Sequence, residues 1–284
     1  MKLKTTFTII FSLLTVLVTL GQTIDETFCF AEKQFLAGNY QSALLEYKRV
    51  AFFDNNNKFN NIYQKIGKSF YAVNNFKSAA KNFDIAARIT TDDSLSAEMY
   101  FKKALCYFKQ DNYFFALNEL LGLQVPTSPY FQRKYNFYTA IAWFGIEEYE
   151  TAHQHLSKII GNESISQLTE VFNQFKKIRN RFNPQKIQTL STIFPGLGQI
   201  YCGNIYSGLN SIILIGGVAI ITVYIWQSYS FLDAFLSMSS WYYRYYSGGI
   251  KNAKSIAIDK ISHEKEKTYQ KFIQLFETTT SSEK

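Results

Sequence analysis

Proline is scarce in this chain of 284 residues, with four in all. So few helix breakers argue against a loop-rich all-β architecture and favour helices. Cysteine is equally sparse. Cys29, Cys106 and Cys202 are far apart and odd in number, which excludes a CxxC pair and a disulfide framework. Buried or membrane-facing thiols are expected instead. Histidine occurs three times. His153 and His155 lie two apart, so on a helix they point in different directions and no metal site is expected. There is no glycine-rich phosphate loop, no Ser/His/Asp set and no placeable carboxylate pair. The expectation is a protein that is not an enzyme, with no catalytic residue, cofactor or metal.

What is abundant is apolar. Hydrophobic residues make up 47% and aromatics 17%, enough for a substantial core and against global disorder. Length alone predicts about two domains. The net charge of +8 gathers around apolar sequence in the second half. Lys176, Lys177, Arg179, Arg181 and Lys186 precede that sequence, and Lys251, Lys254 and Lys260 follow it. This placement points to membrane lipid rather than nucleic acid, with a merely solvated basic face as the plainer alternative.

Residues 1–21 read as a secretory signal: Lys2 and Lys4, an apolar run from Phe7 to Leu20, then the small Gly21. The run is short of the about 20 residues a spanning helix needs. Cleavage after Gly21 is expected, with an uncleaved anchor as the alternative. Either way the following residues are expected outside the cytoplasm.

Four segments then share one template: Tyr40-Ala43-Tyr47-Val50, Phe76-Ala79-Phe83-Ala86, Tyr113-Ala116-Leu120-Leu123 and Tyr149-Ala152-Leu156-Ile159. Their alanines are 36, 37 and 36 residues apart, and a small residue sits 12 earlier in each: Ala31, Gly67, Ala104 and Ala140. Small residues on both helices of a pair let the axes approach, while the aromatic plugs the turn. The pattern resembles the tetratricopeptide-repeat (TPR) family over about residues 24–160, with Gly67, Phe70, Ala79, Phe83 and Ala86 nearest its consensus. Its tryptophan-type position is weak and inter-repeat prolines are few. The resemblance implies an all-α solenoid of four helix pairs that scaffolds a protein or peptide in a groove lined by first helices. Carried across by register, the groove positions are Phe28, Glu32 and Phe35; Gln64, Lys68 and Tyr71; Phe101, Leu105 and Phe108; Phe137, Ile141 and Phe144. So aromatic a surface is expected to be covered, by a partner or by the chain's own helices. A helix from about Ile165 to Phe182, within a segment 163–187, is expected to cap the last repeat.

Residues 188–250 change in character. Pro195, Gly196, Gly198, Gln199, Tyr201 and Gly203 form a glycine-rich stretch, and an uncharged apolar run from Ile205 to Trp226 follows. As a helix these 22 residues extend roughly 33 Å, about one hydrocarbon core. Phe231 to Ile250 reads as a second membrane helix, with an aromatic band at Trp241–Tyr246 suited to headgroup level. Gly208 and Gly216 offer a notch on the first helix, and Gly249, Ala253 and Ala257 offer a small face on the second. The segment resembles two-helix membrane domains of bacterial envelope proteins with a Pro-Gly-x-Gly-Gln-x-Tyr-x-Gly signature, a resemblance that transfers architecture and not activity. Pro195 and the glycines suit a break or re-entrant turn, with Gln199 and Asn204 satisfying backbone groups there.

Basic flanks on an exported hairpin conflict with the positive-inside tendency. The expectation is a transmembrane helical hairpin joined near Gln227–Ser230 and inserted despite the rule, with a re-entrant first part or a single crossing as the alternatives. Residues 251–284 read as an amphipathic tail helix carrying Ile258, Ile261, Thr268, Phe272, Leu275 and Phe276, ended by a disordered Thr/Ser run. The tail has three candidate resting places: the membrane, the groove or a partner. The function expected is a membrane-anchored envelope scaffold with its repeats on the periplasmic side; the alternative is a transport or insertion component whose C-terminal helices are the functional core.

Overall fold

The structure, a computed structural model, describes residues 22–55 and 58–281, so the expected signal at 1–21 lies outside the described residues. Among the described residues the chain is all-α, without strands. It divides into two compact units, Met1–Ile159 and Ile160–Lys284.

The first unit holds eight helices: α1 (Ile24–Leu36), α2 (Tyr40–Phe53), α3 (Ile62–Ala72), α4 (Phe76–Ile89), α5 (Asp93–Phe108), α6 (Tyr113–Leu121), α7 (Pro129–Gly145) and α8 (Tyr149–Ser157). Thr23 opens α1 with a reciprocal cap: its hydroxyl accepts from the Glu26 N–H at 3.2 Å, and its own N–H donates to the Glu26 carboxylate at 2.9 Å. The helices pair as α1–α2, α3–α4, α5–α6 and α7–α8. Ala31, Ala43, Gly67, Ala79, Ala104, Ala116, Ala140 and Ala152 are all buried, so the small template positions are where helix axes close on each other. At Gly67 a Cβ would come within 2.7 Å of the Phe83 ring. The large template positions Tyr47, Phe83, Leu120 and Leu156 are buried as well, each contributing about 1.5–3 kcal/mol.

All four pairs turn by the same device. Gly38, Asn74, Asp111 and Glu147 occupy the left-handed region, with φ of 81°, 60°, 53° and 73°. The next N–H reaches back five residues: Asn39 to Gln34 O, Asn75 to Phe70 O and Asn112 to Tyr107 O at 2.9 Å, and Glu148 to Trp143 O at 3.0 Å. This is the Schellman end of a helix. An aromatic pair spans each turn: Phe35–Tyr40, Tyr71–Phe76, Phe108–Tyr113 and Phe144–Tyr149, with centroids 5.2, 5.3, 5.9 and 5.1 Å apart. Only the first turn uses glycine. Asn74→Gly is therefore expected to stabilise the chain by up to about 1 kcal/mol, because a Cβ is strained in this region. Gly38→Ala should cost a similar amount. Denaturant titration of the two variants checks both signs.

The second unit holds α9 (Asn162–Arg181), α10 (Pro184–Ile193), α11 (Leu197–Tyr201), α12 (Ile205–Ser228) and α13 (Phe231–Ser281). The expected capping helix is α9, with Leu168 and Phe175 buried, and it groups with this second unit rather than with the repeats. It packs on the far end of α13, where Phe172 stacks on Phe272 at 5.0 Å and Lys271 donates to Gln174 at 3.0 Å.

Three expectations are corrected. The second membrane helix and the tail helix are one element, α13, of 51 residues and roughly 77 Å. Gly248 and Gly249 do not break it, since neither adopts positive φ. The Thr/Ser run continues the helix to Ser281 instead of fraying away. Among the described residues one helix, α12, is long and apolar enough to cross a membrane, and α13 is not. Its first half carries Asp233, Arg244 and three serines before Tyr246, which dilute its apolar content.

The register of α13 on α12 also moves the aromatic band. Phe231 meets Trp226 at 6.0 Å at one end, and Gln199 ties Ser211 to Gly249 at the other. Trp241–Tyr246 therefore runs beside the middle of α12, not level with its end.

Candidate functional site

Two groups of side chains converge, one in each unit. In the first unit a pocket of about 330 Å³ opens between α1, α3 and α5. Its walls are Phe35, Tyr40, Tyr71, Ala72, Phe83 and Leu105, and two lysines, Lys68 and Lys102, complete it. The helix pairs place them there directly. Phe35 and Tyr40 are the aromatic clasp of the first turn, Tyr71 belongs to the clasp of the second, and Leu105 stands one turn above Phe108 on α5.

Neighbouring lysines are engaged across the helices. Lys65 binds Glu32 at 2.8 Å, Lys134 binds Glu98 at 2.7 Å, and the Tyr47 hydroxyl donates to Glu32. Lys68 and Lys102 make no such pair among the described residues. Burial lowers the Lys68 ammonium below its ordinary range, and the positive charge of Lys65 adds to this. Burial does the same for Lys102, with Lys68 and Lys134 adding to it and Glu98 opposing. Burial also raises the Tyr71 hydroxyl. Two half-buried ammonium groups thus share an apolar wall, where a carboxylate would relieve both their desolvation and their mutual repulsion.

The predicted groove residues do not all reach this pocket. Phe35, Tyr71 and Leu105 line it. Phe28 is half-buried in the first pair's core, stacked on Phe59 at 4.6 Å. Phe101 and Phe144 are fully buried and offer a partner nothing, which corrects the register assignment. Phe101 is covered by the next first helix, with Tyr138 edge-on at 5.2 Å and the Lys134 ammonium 5.1 Å from its centroid. Phe144 is spent on its own turn, against Tyr149. Phe108 is half-buried between Tyr113 and Tyr138. Phe137 and Ile141 are half-buried on α7, outside the pocket. Lys102 escaped the sequence reading, although it lies three residues before Leu105 and so on its face.

In the second unit the glycine-rich stretch forms a buried polar knot. The Gln199 side chain is fully buried. Its amide nitrogen donates to Ser211 Oγ at 3.1 Å and to the Gly249 carbonyl at 2.8 Å, and its oxygen accepts from Ser191 Oγ at 3.1 Å. The Gly198 N–H donates to Ser191 Oγ at 3.1 Å. Four helices, α10 to α13, meet at one amide. The neighbouring glycines make the approach possible. A Cβ on Gly198 would lie 2.3 Å from Ser191 Oγ and 2.6 Å from the Ile187 carbonyl, and one on Gly208 would lie 2.4 Å from Ile200. Pro195 and Gly196, the latter at φ +90° and against the Gly208 carbonyl, break α10 from α11. Gly203, at φ +80°, ends α11 with the same turn as the repeats: the Asn204 N–H donates to Gln199 O at 2.9 Å. Asn204 then caps α12 through Ser207 at 3.2 Å. Ala253 and Ala257 seat Ile187 and Cys202. Tyr201 is partly exposed, with its ring 6.4 Å from Phe182. Every polar atom of the Gln199 amide is thus occupied in holding helices together, and the arrangement is that of a scaffold.

His155 hydrogen-bonds Asn136 at 2.9 Å, and among the described residues no three His, Cys, Asp or Glu side chains gather as metal ligands. Comparison of the chain with protein-family models, curated proteins and solved structures finds no match.

Proposed function

We propose that this protein is a non-enzymatic, membrane-anchored adaptor of the bacterial cell envelope, with TPR-type helix pairs that bind a protein segment. The observation that carries the reading is the α1–α3–α5 pocket, where Lys68 and Lys102 stand on an aromatic wall with no carboxylate paired to them among the described residues. A segment offering an apolar side chain beside a carboxylate satisfies both features. The uncharged α12 supports anchoring in a membrane. An export signal at 1–21 would place the pocket on the periplasmic side.

The second reading makes the C-terminal helices the core of a transport or insertion complex. Asp233 and Arg244, exposed on α13 alongside the apolar α12, favour it, because ionisable groups at membrane depth usually serve a function. The occupied Gln199 knot favours a structural role for the motif. Substitution separates the two. Lys68→Glu with Lys102→Glu in the full chain is expected to reduce recovery of a specific partner from solubilised membranes by about tenfold or more. Asp233→Asn and Arg244→Gln are expected to leave recovery unchanged. The opposite pattern would favour the second reading.

A further inference from the structure

We propose that the base of α12 carries a binding site for the headgroup of an anionic phospholipid. Arg181, Lys186 and Lys260 build it around the rings of Phe182 and Tyr201. The inference rests on the membrane reading above. Three elements bring the cations together. Arg181 ends α9, its guanidinium carbon 5.1 Å from the Phe182 centroid. Lys260 reaches the same ring at 5.2 Å from α13, and Lys186 of α10 lies 5.7 Å from the Tyr201 centroid. The two rings are 6.4 Å apart. Aromatic faces hold the cations in place while leaving their N–H donors free. None of the three has a carboxylate partner among the described residues. The depression beside Phe182 carries Asp259, His263 and Glu264 with Lys260 and Lys267, and Lys267 pairs with Glu264 at 3.7 Å; Arg181 and Lys186 lie outside its lining, away from these carboxylates, and the phosphate is assigned to their side.

Beyond Tyr201 the chain turns at Gly203–Asn204 into the apolar face of α12. There Tyr206 is 90% exposed, and Ile205, Leu209 and Ile213 are exposed with it. A headgroup on the platform therefore has apolar surface next to it for its acyl chains. That adjacency selects a phospholipid over a free phosphate. The other end of the α12–α13 pair, at Trp226 and Phe231, carries no cation, so the positive charge addresses a single leaflet.

The test uses the full chain reconstituted in phosphatidylcholine vesicles doped with spin-labelled phosphatidylglycerol or spin-labelled phosphatidylcholine. The motion-restricted fraction is expected to prefer phosphatidylglycerol about fivefold, the effect of roughly one well-placed cation. In Arg181→Gln/Lys186→Gln/Lys260→Gln the preference should fall to near one with the thermal transition unchanged. A Lys177→Gln/Lys251→Gln/Lys254→Gln control should retain it. Equal association of both lipids with the wild-type protein overturns the proposal and leaves the membrane reading standing. So does loss of preference in the control, which would mean diffuse charge, or its abolition by millimolar inorganic phosphate, which would mean a free-phosphate site. Failure of the chain to incorporate into vesicles sinks the membrane reading itself and the proposal with it.

Discussion

Gly198→Ala is expected to destabilise the second unit by about 2–5 kcal/mol. The added Cβ would lie 2.3 Å from Ser191 Oγ and 2.6 Å from the Ile187 backbone carbonyl. Neither atom can retreat cheaply. The carbonyl belongs to α10, and the serine hydroxyl is held from two sides, accepting from Gly198 N–H and donating to Gln199. Moving Ser191 aside leaves buried polar groups unpaired, so the overpacking cost and the hydrogen-bond cost add. Gly216→Ala and Gly248→Ala are the controls, because a Cβ at either meets nothing within 4 Å. They should be neutral or stabilising by up to about 1 kcal/mol, as alanine is the better helix former. Hydrogen exchange on the full chain in detergent reads the difference: protection should fall across α10–α12 in Gly198→Ala and persist in the controls. Unchanged protection in Gly198→Ala would contradict the role assigned to the knot.

Lys103→Met is expected to be as damaging in the first unit, costing about 3–5 kcal/mol. Lys103 projects from α5 between two helices, binding Asp84 of α4 at 2.6 Å and Glu119 of α6 at 2.7 Å, with its side chain only 9% exposed. Removing the ammonium leaves two carboxylates facing each other in a partly buried site, and among the described residues Asp84 retains only Arg88. The pH dependence should change sign as well. Burial works to raise the Asp84 carboxyl, but hydrogen bonds from Lys103 and Arg88 outweigh it and hold the group below its ordinary 3.8. A depressed carboxyl stabilises above the unfolded value, and that stability is lost as pH falls through the folded one. Wild-type stability should therefore decline below about pH 3.8. Burial lowers Lys103, but its hydrogen bonds to Asp84 and Glu119 outweigh this and raise it above 10.5, so its own contribution persists below that value and fades as pH rises past it. In Lys103→Met the facing carboxylates repel, so stability should rise as the pH is lowered towards their protonation. Denaturant titrations of the full chain at pH 7 and pH 5 distinguish the two slopes, and parallel behaviour would contradict the bridging role.

Both sites contrast with what could be read along the chain. The helix pairs were legible because the small residues recur at fixed spacing, and a small residue at an axis crossing is a local requirement that leaves a periodic trace. The turn residues Gly38, Asn74, Asp111 and Glu147 left a weaker trace, since only one of them is glycine. The register gave the inward face of each first helix but not what lies over it. Phe101 is lost to the groove because Tyr138 and Lys134 of the next pair cover it. The Lys103 bridge joins residues 19 positions back and 16 ahead, with no pattern that marks them. Gln199 stood out as part of a motif, but its partners lie 8, 12 and 50 residues away. The continuity of α13 was hidden by the change after Ile250 from an aromatic to a charged, amphipathic sequence. Gly249 serves the close approach that its spacing from Ala253 and Ala257 implies: a Cβ there would lie 3.3 Å from Ser211 Oγ.

The central claim is that the α1–α3–α5 pocket holds a protein segment through its two lysines. The most direct test places a photo-crosslinking amino acid at Leu105 in the pocket and, separately, at Phe114, which is exposed on α6, in the full chain within intact cells. A discrete adduct is predicted from Leu105, absent from Phe114, and abolished when Lys68→Glu and Lys102→Glu are added. An adduct that forms equally from both positions, or one that survives the charge reversal, would contradict it.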